Sequence, residues 1–315
     1  MRMYRQSPGL VGASRVILVI ALGISALVTL SCAPREKCPF PTFEPTILKD
    51  RVISWSHCWG DIDQDGVDDL FVVNHFPPPS VLINDGHGTF KDVYSESGMV
   101  VPSVLEGGTR ADRHGAAFAD YDNDGRLDLY VTVGAQTGKG HGENQLYRNL
   151  GRAKFEDVAV VAGLADPLGR GRGCAWGDFD NDGNLDLFVA NWQRPEAPDR
   201  LYKNDGDGSF TDVAAQAGVA NPGNSLSAVW LDVNGDLFPD LTVASGVEIS
   251  LLINRKDGTF GKLASWAGRT FAWADYDDNG TPDLFISKPW SPGTPQDPLQ
   301  GRHRLLRNDG KASFV

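Results

Sequence analysis

Acidic side chains recur in this chain at a fixed two-residue pitch. Asp61 to Leu70 reads DIDQDGVDDL, Asp120 to Leu129 DYDNDGRLDL, Asp178 to Leu187 DFDNDGNLDL, Asp232 to Leu241 DVNGDLFPDL and Asp275 to Leu284 DYDDNGTPDL. Positions 1, 3, 5 and 9 carry oxygen donors in every copy. They are Asp61, Asp63, Asp65 and Asp69; Asp120, Asp122, Asp124 and Asp128; Asp178, Asp180, Asp182 and Asp186; Asp232, Asn234, Asp236 and Asp240; and Asp275, Asp277, Asn279 and Asp283. A tight turn can point side chains two residues apart at one centre, and Gly at position 6 permits the positive φ that such a turn requires. The carbonyl of position 7 (Val67, Arg126, Asn184, Phe238, Thr281) would complete the shell. Hard oxygens at this density select Ca²⁺, up to five ions, because Zn²⁺ prefers His or Cys and Mg²⁺ keeps most of its water.

Self-bonded, solvated Asx turns would account for one such loop. Five loops holding 20 of the 41 acidic residues are harder to explain that way. Three or four carboxylates in one turn repel by roughly 1 kcal/mol or more per pair unless a cation lies between them. Position 12, where an EF-hand places its bidentate Glu, is Val72, Val131, Val189, Val243 or Ile286, so the loops lead into strands and are not EF-hands. The fourth loop has Leu237 where Gly belongs and Gly235 two positions early, and the fifth has Asn279 for its third carboxylate. These two are the expected weaker sites.

The elements that position the loops repeat with them. Loop starts lie 59, 58, 54 and 43 residues apart, and an aromatic stands two residues before each: Trp59, Phe118, Trp176, Trp230 and Trp273. Each loop is followed by an Asn (Asn84, Asn149, Asn204, Asn254, Asn308) with a Phe six residues later (Phe90, Phe155, Phe210, Phe260, Phe314). A period near 55 with two locked landmarks means one supersecondary unit repeated. Within a unit the pattern reads strand, acidic loop, strand, loop, strand, Gly-rich turn, strand, with Asp-Gly turns between β-formers as hairpin signals. The fold class is therefore all-β, a β-propeller of four-stranded blades with the recurrent aromatic packed between neighbours. Asp212 to Val219 is short enough to be a helical turn between blades.

The sequence aromatic-x-Asp-x-Asp-Asn-Asp-Gly-x-Leu-Asp-Leu, then Leu-Tyr-x-Asn, then Gly-x-Phe-x-Asp-Val and Ala-Gly-Leu or Ala-Gly-Val, resembles the FG-GAP/VCBS repeats of extracellular β-propellers. Ala175 to Ala190 and Leu201 to Val219 carry it most clearly. The ASPIC/UnbV (cartilage acidic protein-like) group is the nearest in pattern, and integrin α-subunit propellers share the loops more distantly. The resemblance implies Ca²⁺ at the positions given above and is poor for function. The last unit stops one residue after Phe314, where earlier units continue Asp-Val. Either the sequence is a fragment, or Pro39 to Thr46 supplies the missing outer strand and closes a five-bladed ring.

Residues 1–31 have the layout of an export signal. Arg2, Arg5 and Arg15 precede the uncharged run Val16 to Leu30, which at 15 residues is shorter than the ~20 needed to span a bilayer. Ser31-Cys32 then resembles a lipobox, with Cys32 the expected lipidated residue; ordinary cleavage after Ala33 and an uncleaved anchor are the alternatives. All three place the body outside the cytoplasm, as an envelope lipoprotein or else a periplasmic or secreted protein. Residues 32–54 read as an arm and 55–315 as the propeller. Loss of the signal takes three basic residues and lowers the net charge from −12 to −15. That balance excludes non-specific nucleic-acid binding, which needs a basic face.

Enzyme signals are weak by comparison. GAQTGKG at Gly134 to Gly140 is one residue short of a P-loop and lacks the following Ser or Thr. His57, His75, His87, His114, His141 and His303 form no ligand spacing and read as loop residues. Cys58 is placed to pair with Cys38, and Cys174 reads as a buried small hydrophobe. The function expected is a non-catalytic binding or adhesion module for a protein or glycan ligand at the cell envelope. Phe76 to Ser80, Gly134 to Glu143, Trp192 to Pro198 and Trp290 to Gln296 are its candidate presenting segments. The alternative is a propeller enzyme acting on polysaccharide, a lyase or hydrolase.

Overall fold

The computed structural model describes residues 19–20, 54–75, 78–101, 111–135, 142–192, 196–222, 224–287 and 302–315. Cys32, Cys38 and Pro39 to Thr46 lie outside them, as do most of the four presenting segments. Every described unit follows the same course. The first comprises β2 (Ser54–Gly60), β3 (Asp69–Asn74), β4 (Ser80–Asn84) and β5 (Phe90–Asp92), the second β6 (Ala111–Ala119), β7 (Asp128–Ala135), β8 (Gln145–Gly151) and β9 (Lys154–Asp157). The third comprises β10 (Gly171–Gly177), β11 (Asp186–Asn191), β12 (Arg200–Asn204) and β13 (Phe210–Asp212), the fourth β14 (Ser225–Leu231), β15 (Asp240–Ser245), β16 (Glu248–Asn254) and β17 (Phe260–Ala267). Each forms an antiparallel four-stranded sheet in chain order.

The fifth sheet contains β18 (Phe271–Ala274), β19 (Asp283–Ile286) and β20 (Arg304–Leu306), with a single bridge between Asn308 and Phe314 where an outer strand would run. Its inner edge is taken by β1 (Val19–Ile20), with Val19 opposite Trp273 and Ile20 opposite Ala272. These two residues fall inside the expected export signal. The free N–H and C=O groups of an edge strand accept any apolar segment that can extend.

The hydrophobic cores lie between sheets. Phe71, Val73 and Cys58 of the first unit pack with Leu129, Val131, Tyr147 and Phe155 of the second, and equivalent cores join the second to the third, third to fourth and fourth to fifth. This explains why the second strand of each of the first three units is an almost unbroken apolar run (LFVV, LYVTV, LFVA): it is covered on both faces. Inner strands β2, β6, β10 and β14 run side by side, which gives a propeller-like stack. Short helical turns α1 (Ala159–Ala162) and α2 (Ala214–Ala217) follow the second and third units, each ended by a left-handed Gly at Gly163 or Gly218. Among the described residues no helix is long and apolar enough to cross a membrane.

Candidate metal loops

All five acidic loops adopt one backbone conformation, written in hydrogen bonds to their own carboxylates. The position-1 Asp receives the N–H groups of positions 5 and 6: Asp61 from Asp65 and Gly66 (3.0 and 3.0 Å), Asp178 from Asp182 and Gly183 (3.0 and 2.9 Å), Asp275 from Asn279 and Gly280 (3.0 and 2.9 Å). The position-9 Asp is buried and bridges two elements. One oxygen takes the N–H of position 2 (Ile62 2.8 Å, Phe179 2.9 Å, Val233 3.1 Å) and the other takes the N–H of the landmark Asn (Asn84 2.8 Å, Asn149 2.7 Å, Asn204 2.8 Å).

Positions 4 and 6 are left-handed in every loop. Gln64 (φ 66°), Asn123 (58°), Asn181 (59°) and Asp278 (57°) occupy position 4, with Gly at position 6 near 90°. The fourth loop keeps that conformation with the residue types exchanged, Gly235 at 77° and Leu237 at 71°. The displaced Gly therefore does not shift the register; it relieves one strained position and leaves the other to an exposed leucine. Asp232 still receives Asp236 and Leu237 N–H at 3.1 and 2.8 Å.

Carboxylate oxygens of positions 1, 3 and 9 converge within 4.8 Å of one another in loops one, two, three and five. In the fourth loop position 3 is Asn234, which supplies an amide oxygen instead. Position 5 turns one oxygen to the N–H of position 7, as Asp65 does to Val67 (2.8 Å) and Asp182 to Asn184 (2.9 Å). The structure thus gathers three of the four sequence-predicted donors tightly and sets the fourth at the rim. Position 3 carries the clearest sign of ligating chemistry. Asp63 Oδ1 and Asp180 Oδ1 are buried with no hydrogen-bond partner among the described residues, although each side chain belongs to a group with two other carboxylates. Oxygen donors in that state fit a hard cation.

Electrostatics agree. Burial first, and neighbouring loop charges second, push Asp63 and Asp122 up from the ordinary carboxylate range. Burial raises the position-9 groups further, Asp128 and Asp186 to about 7 and Asp240 to about 6, against the backbone N–H groups that hold them down. Basic side chains stand against several loops: Lys203 on Asp180 and Asp182, Arg126 on Asp124, Lys256 on Asp236 and Arg307 on Asp277.

The loops are tied to the seams between sheets through position 2. Tyr121 stacks on Trp176 of the next unit (6.4 Å, 17°) and Phe179 on Trp230 (6.5 Å, 18°), with Phe210 and Phe260 closing each pocket. The carbonyl of the same residue accepts the next unit's landmark Asn: Ile62 from Asn149 (2.9 Å), Tyr121 from Asn204 (2.9 Å), Phe179 from Asn254 (2.7 Å), Val233 from Asn308 (2.8 Å). Trp176 and Trp230 also donate their indole N–H to Ala117 and Ala175 of the unit before. The aromatic, Asn and Phe landmarks therefore serve one joint.

Residues 61–131, 133–189, 178–243 and 232–286 match the FG-GAP-like repeat. The chain belongs to the FG-GAP-like repeat family. Its curated relatives include cartilage acidic protein 1 of Homo sapiens and of Mus musculus, each 26% identical over 216 residues, 66% of this chain. The chain spans 30–31% of the length of those relatives. Among solved structures, an Agrocybe aegerita lectin described as recognising non-reducing terminal N-acetylglucosamine aligns with a TM-score of 0.53 at 18% identity. It covers 96% of this chain and 76% of the lectin, a likeness of fold.

Sequence reasoning placed all histidines in loops without ligand spacing, and there the structure differs. His57 and His114 lie in strands β2 and β6, and His114 meets His75 and Asp112 in one cluster. The 37-residue gap between Asp112 and His75 hides that cluster from any local motif. Cys58 is buried in the first inter-sheet core. Cys174 packs against the second, which agrees with its reading as a small hydrophobe, and burial pushes its thiol up to about 12.

Proposed function

We propose that this chain is an exported, calcium-stabilised β-propeller that acts as a non-catalytic binding module at the cell envelope. One observation supports it above the rest: the position-2 residue of each of the first four loops has its N–H fixed by the position-9 carboxylate and its side chain and carbonyl fixed in the next seam. A cation in the loop would therefore stiffen the joint between blades, a structural use of Ca²⁺. Extracellular sites of this kind bind with Kd of about 10⁻⁴ to 10⁻³ M and stay filled where calcium is plentiful. The loop carboxylates are engaged with backbone and with one another, which suits ligation better than general acid–base work.

The two terminal faces of the stack are complementary. Tyr276, the position-2 residue of the fifth loop, is 49% exposed, and Trp59 of the first unit is 39% exposed. Asn84 donates to Asp68 of its own loop and, among the described residues, makes no cross-seam bond like those of its four counterparts. Direct closure of a five-bladed ring would supply Tyr276 O to Asn84, whereas further blades would supply the equivalent carbonyl of the last of them. In this reading residues 1–31 direct export, Cys32 carries the lipid anchor, residues 32–54 form the arm, and variable loops of the propeller take a protein or glycan ligand.

The test is thermal unfolding of the exported chain in millimolar Ca²⁺ and in EGTA with bound metal counted, followed by glycan-array binding with terminal N-acetylglucosamine among the probes. Strong stabilisation with four or five Ca²⁺ per chain, and saturable binding without turnover, is the expected result. An unchanged midpoint with no bound metal would sink the calcium reading, and depolymerisation of a polysaccharide would replace binding by catalysis.

A further inference from the structure

Each of the first four inner strands carries a bulge at the end away from its acidic loop. The extra residues are Trp55 in β2, His114 and Gly115 in β6, Arg172 in β10 and Leu226 in β14. A bulge re-aims a side chain, and here Trp55 and His114 turn toward each other, ring centroids 5.3 Å apart. The β6 bulge is pinned. Gly115 donates its N–H to Thr132 Oγ1 (2.8 Å), which donates to Arg172 O (3.0 Å), and a Cβ on Gly115 would lie only 2.4 Å from that carbonyl.

Three donors meet at this rigid point. His114 Nε2 stands 3.0 Å from Asp112 Oδ2, and His75 Nε2 lies beside Asp112 Oδ1. Asp112 and His114 are 5% and 8% exposed, and Trp55, 57% exposed, covers the group from solvent with both imidazoles against its ring. Despite these approaches, Asp112 Oδ1 and His114 Nε2 make no hydrogen bond of acceptable geometry among the described residues. Arg172 supplies a positive charge to Asp112 from the next blade.

We propose that His75, Asp112 and His114 hold one divalent transition-metal ion of the Zn²⁺ class, separate from the aspartate loops. Two imidazoles and one carboxylate are borderline donors suited to Zn²⁺, Fe²⁺ or Mn²⁺ and poorly suited to Ca²⁺. Metal–ligand bonds of about 2.0–2.2 Å put neighbouring donors about 3.3 Å apart, and here His114 Nε2 and Asp112 Oδ2 are 3.0 Å apart with donor atoms of all three residues within 4.8 Å of one another. Three protein ligands would leave one position of a four-coordinate ion to water or a further ligand.

The experiment titrates the full chain, first saturated with millimolar Ca²⁺, with Zn²⁺ by calorimetry and with Co²⁺ by visible absorption. One further ion per chain is expected, with the ligand-field spectrum of a nitrogen-coordinated Co²⁺. His75→Ala should weaken it by more than the roughly 10–100-fold that loss of an outer partner costs. Its unfolding midpoint in Ca²⁺ should stay close to that of the parent. His114→Gln, nearly isosteric, should do the same, and Asp180→Asn in the third loop should leave it intact. No Zn²⁺ or Co²⁺ uptake beyond the calcium sites, or uptake that survives both histidine variants, would overturn the assignment. Uptake lost in Asp180→Asn would overturn it too and return the ion to the loops.

Discussion

Asn204→Ala isolates what the landmark asparagine contributes to the seam between blades. Its side chain is buried (1% exposed) and makes three hydrogen bonds, donating to Tyr121 O across the seam (2.9 Å) and Leu185 O in its own loop (3.1 Å) and accepting from Gly206 N–H (3.0 Å). Each bond is worth about 1 kcal/mol net, and a carbonyl left buried without a donor costs about 1–3 kcal/mol. The expected loss is about 3 kcal/mol. Asn84→Ala is the internal control. Asn84 donates to Asp68 O and accepts from Gly86 N–H, both bonds exposed to water and with no cross-seam acceptor among the described residues, so the two together are discounted to about 1 kcal/mol. At roughly 2–4 °C per kcal/mol for a chain of this order, the melting midpoint in saturating Ca²⁺ should fall by about 6–12 °C for Asn204→Ala and about 2–4 °C for Asn84→Ala. Both keep the backbone N–H that the position-9 carboxylate holds, so metal content should not change. Equal losses in the two variants would refute the claim that the asparagine acts between blades.

Two smaller tests address the loops themselves. Leu237→Gly should stabilise by about 0.5–1 kcal/mol, read as a higher denaturant midpoint, because Leu237 holds φ 71° at 81% exposure and loses little packing; a destabilised variant would contradict the shared loop conformation. In EGTA, burial favours the protonated forms of Asp128 and Asp186, whose folded pKa of about 7 lies above the unfolded carboxylate value. The contribution of these two groups to stability should therefore be fully present below about pH 4 and be lost as pH rises through about 7. Bound Ca²⁺ should flatten that slope, and a melting midpoint in EGTA that rises across the window would count against it.

What could be read from the sequence was what is written locally. The loops were legible because donors at positions 1, 3, 5 and 9 lie within one turn, and the blade pattern because Trp176, Asn204 and Phe210 recur at fixed offsets. Other features are products of assembly. Nothing local says that Asn204 caps Gly206 and also clasps Tyr121 of the preceding unit 83 residues away, although its recurrence marked it as needed. The sequence marked Leu237 as standing where Gly belongs, but not that the loop keeps its conformation there, with Gly235 at φ 77° and Leu237 at 71°. The histidine cluster is the extreme case: His75 follows the second strand of one blade, Asp112 and His114 lie in the first strand of the next, and the contact between neighbouring blades brings them together.

These facts bear on how such a chain divides its labour. The repeat spends its carboxylates, asparagines and aromatics on joints that are nearly the same in each blade, because a repeat is stable only through its neighbours. Positions that differ between blades are the ones this joint does not dictate. Three residues break the repeat at one place: Trp55, His114 and Arg172 are the bulge residues of three successive inner strands, whereas the fourth offers only Leu226. An aromatic, an imidazole and a guanidinium, converging with His75 and a buried Asp112, are costly choices for a position whose structural task a leucine fulfils. The bulge end of the first three blades, opposite the aspartate loops, is therefore the surface on which this chain differs from a generic propeller.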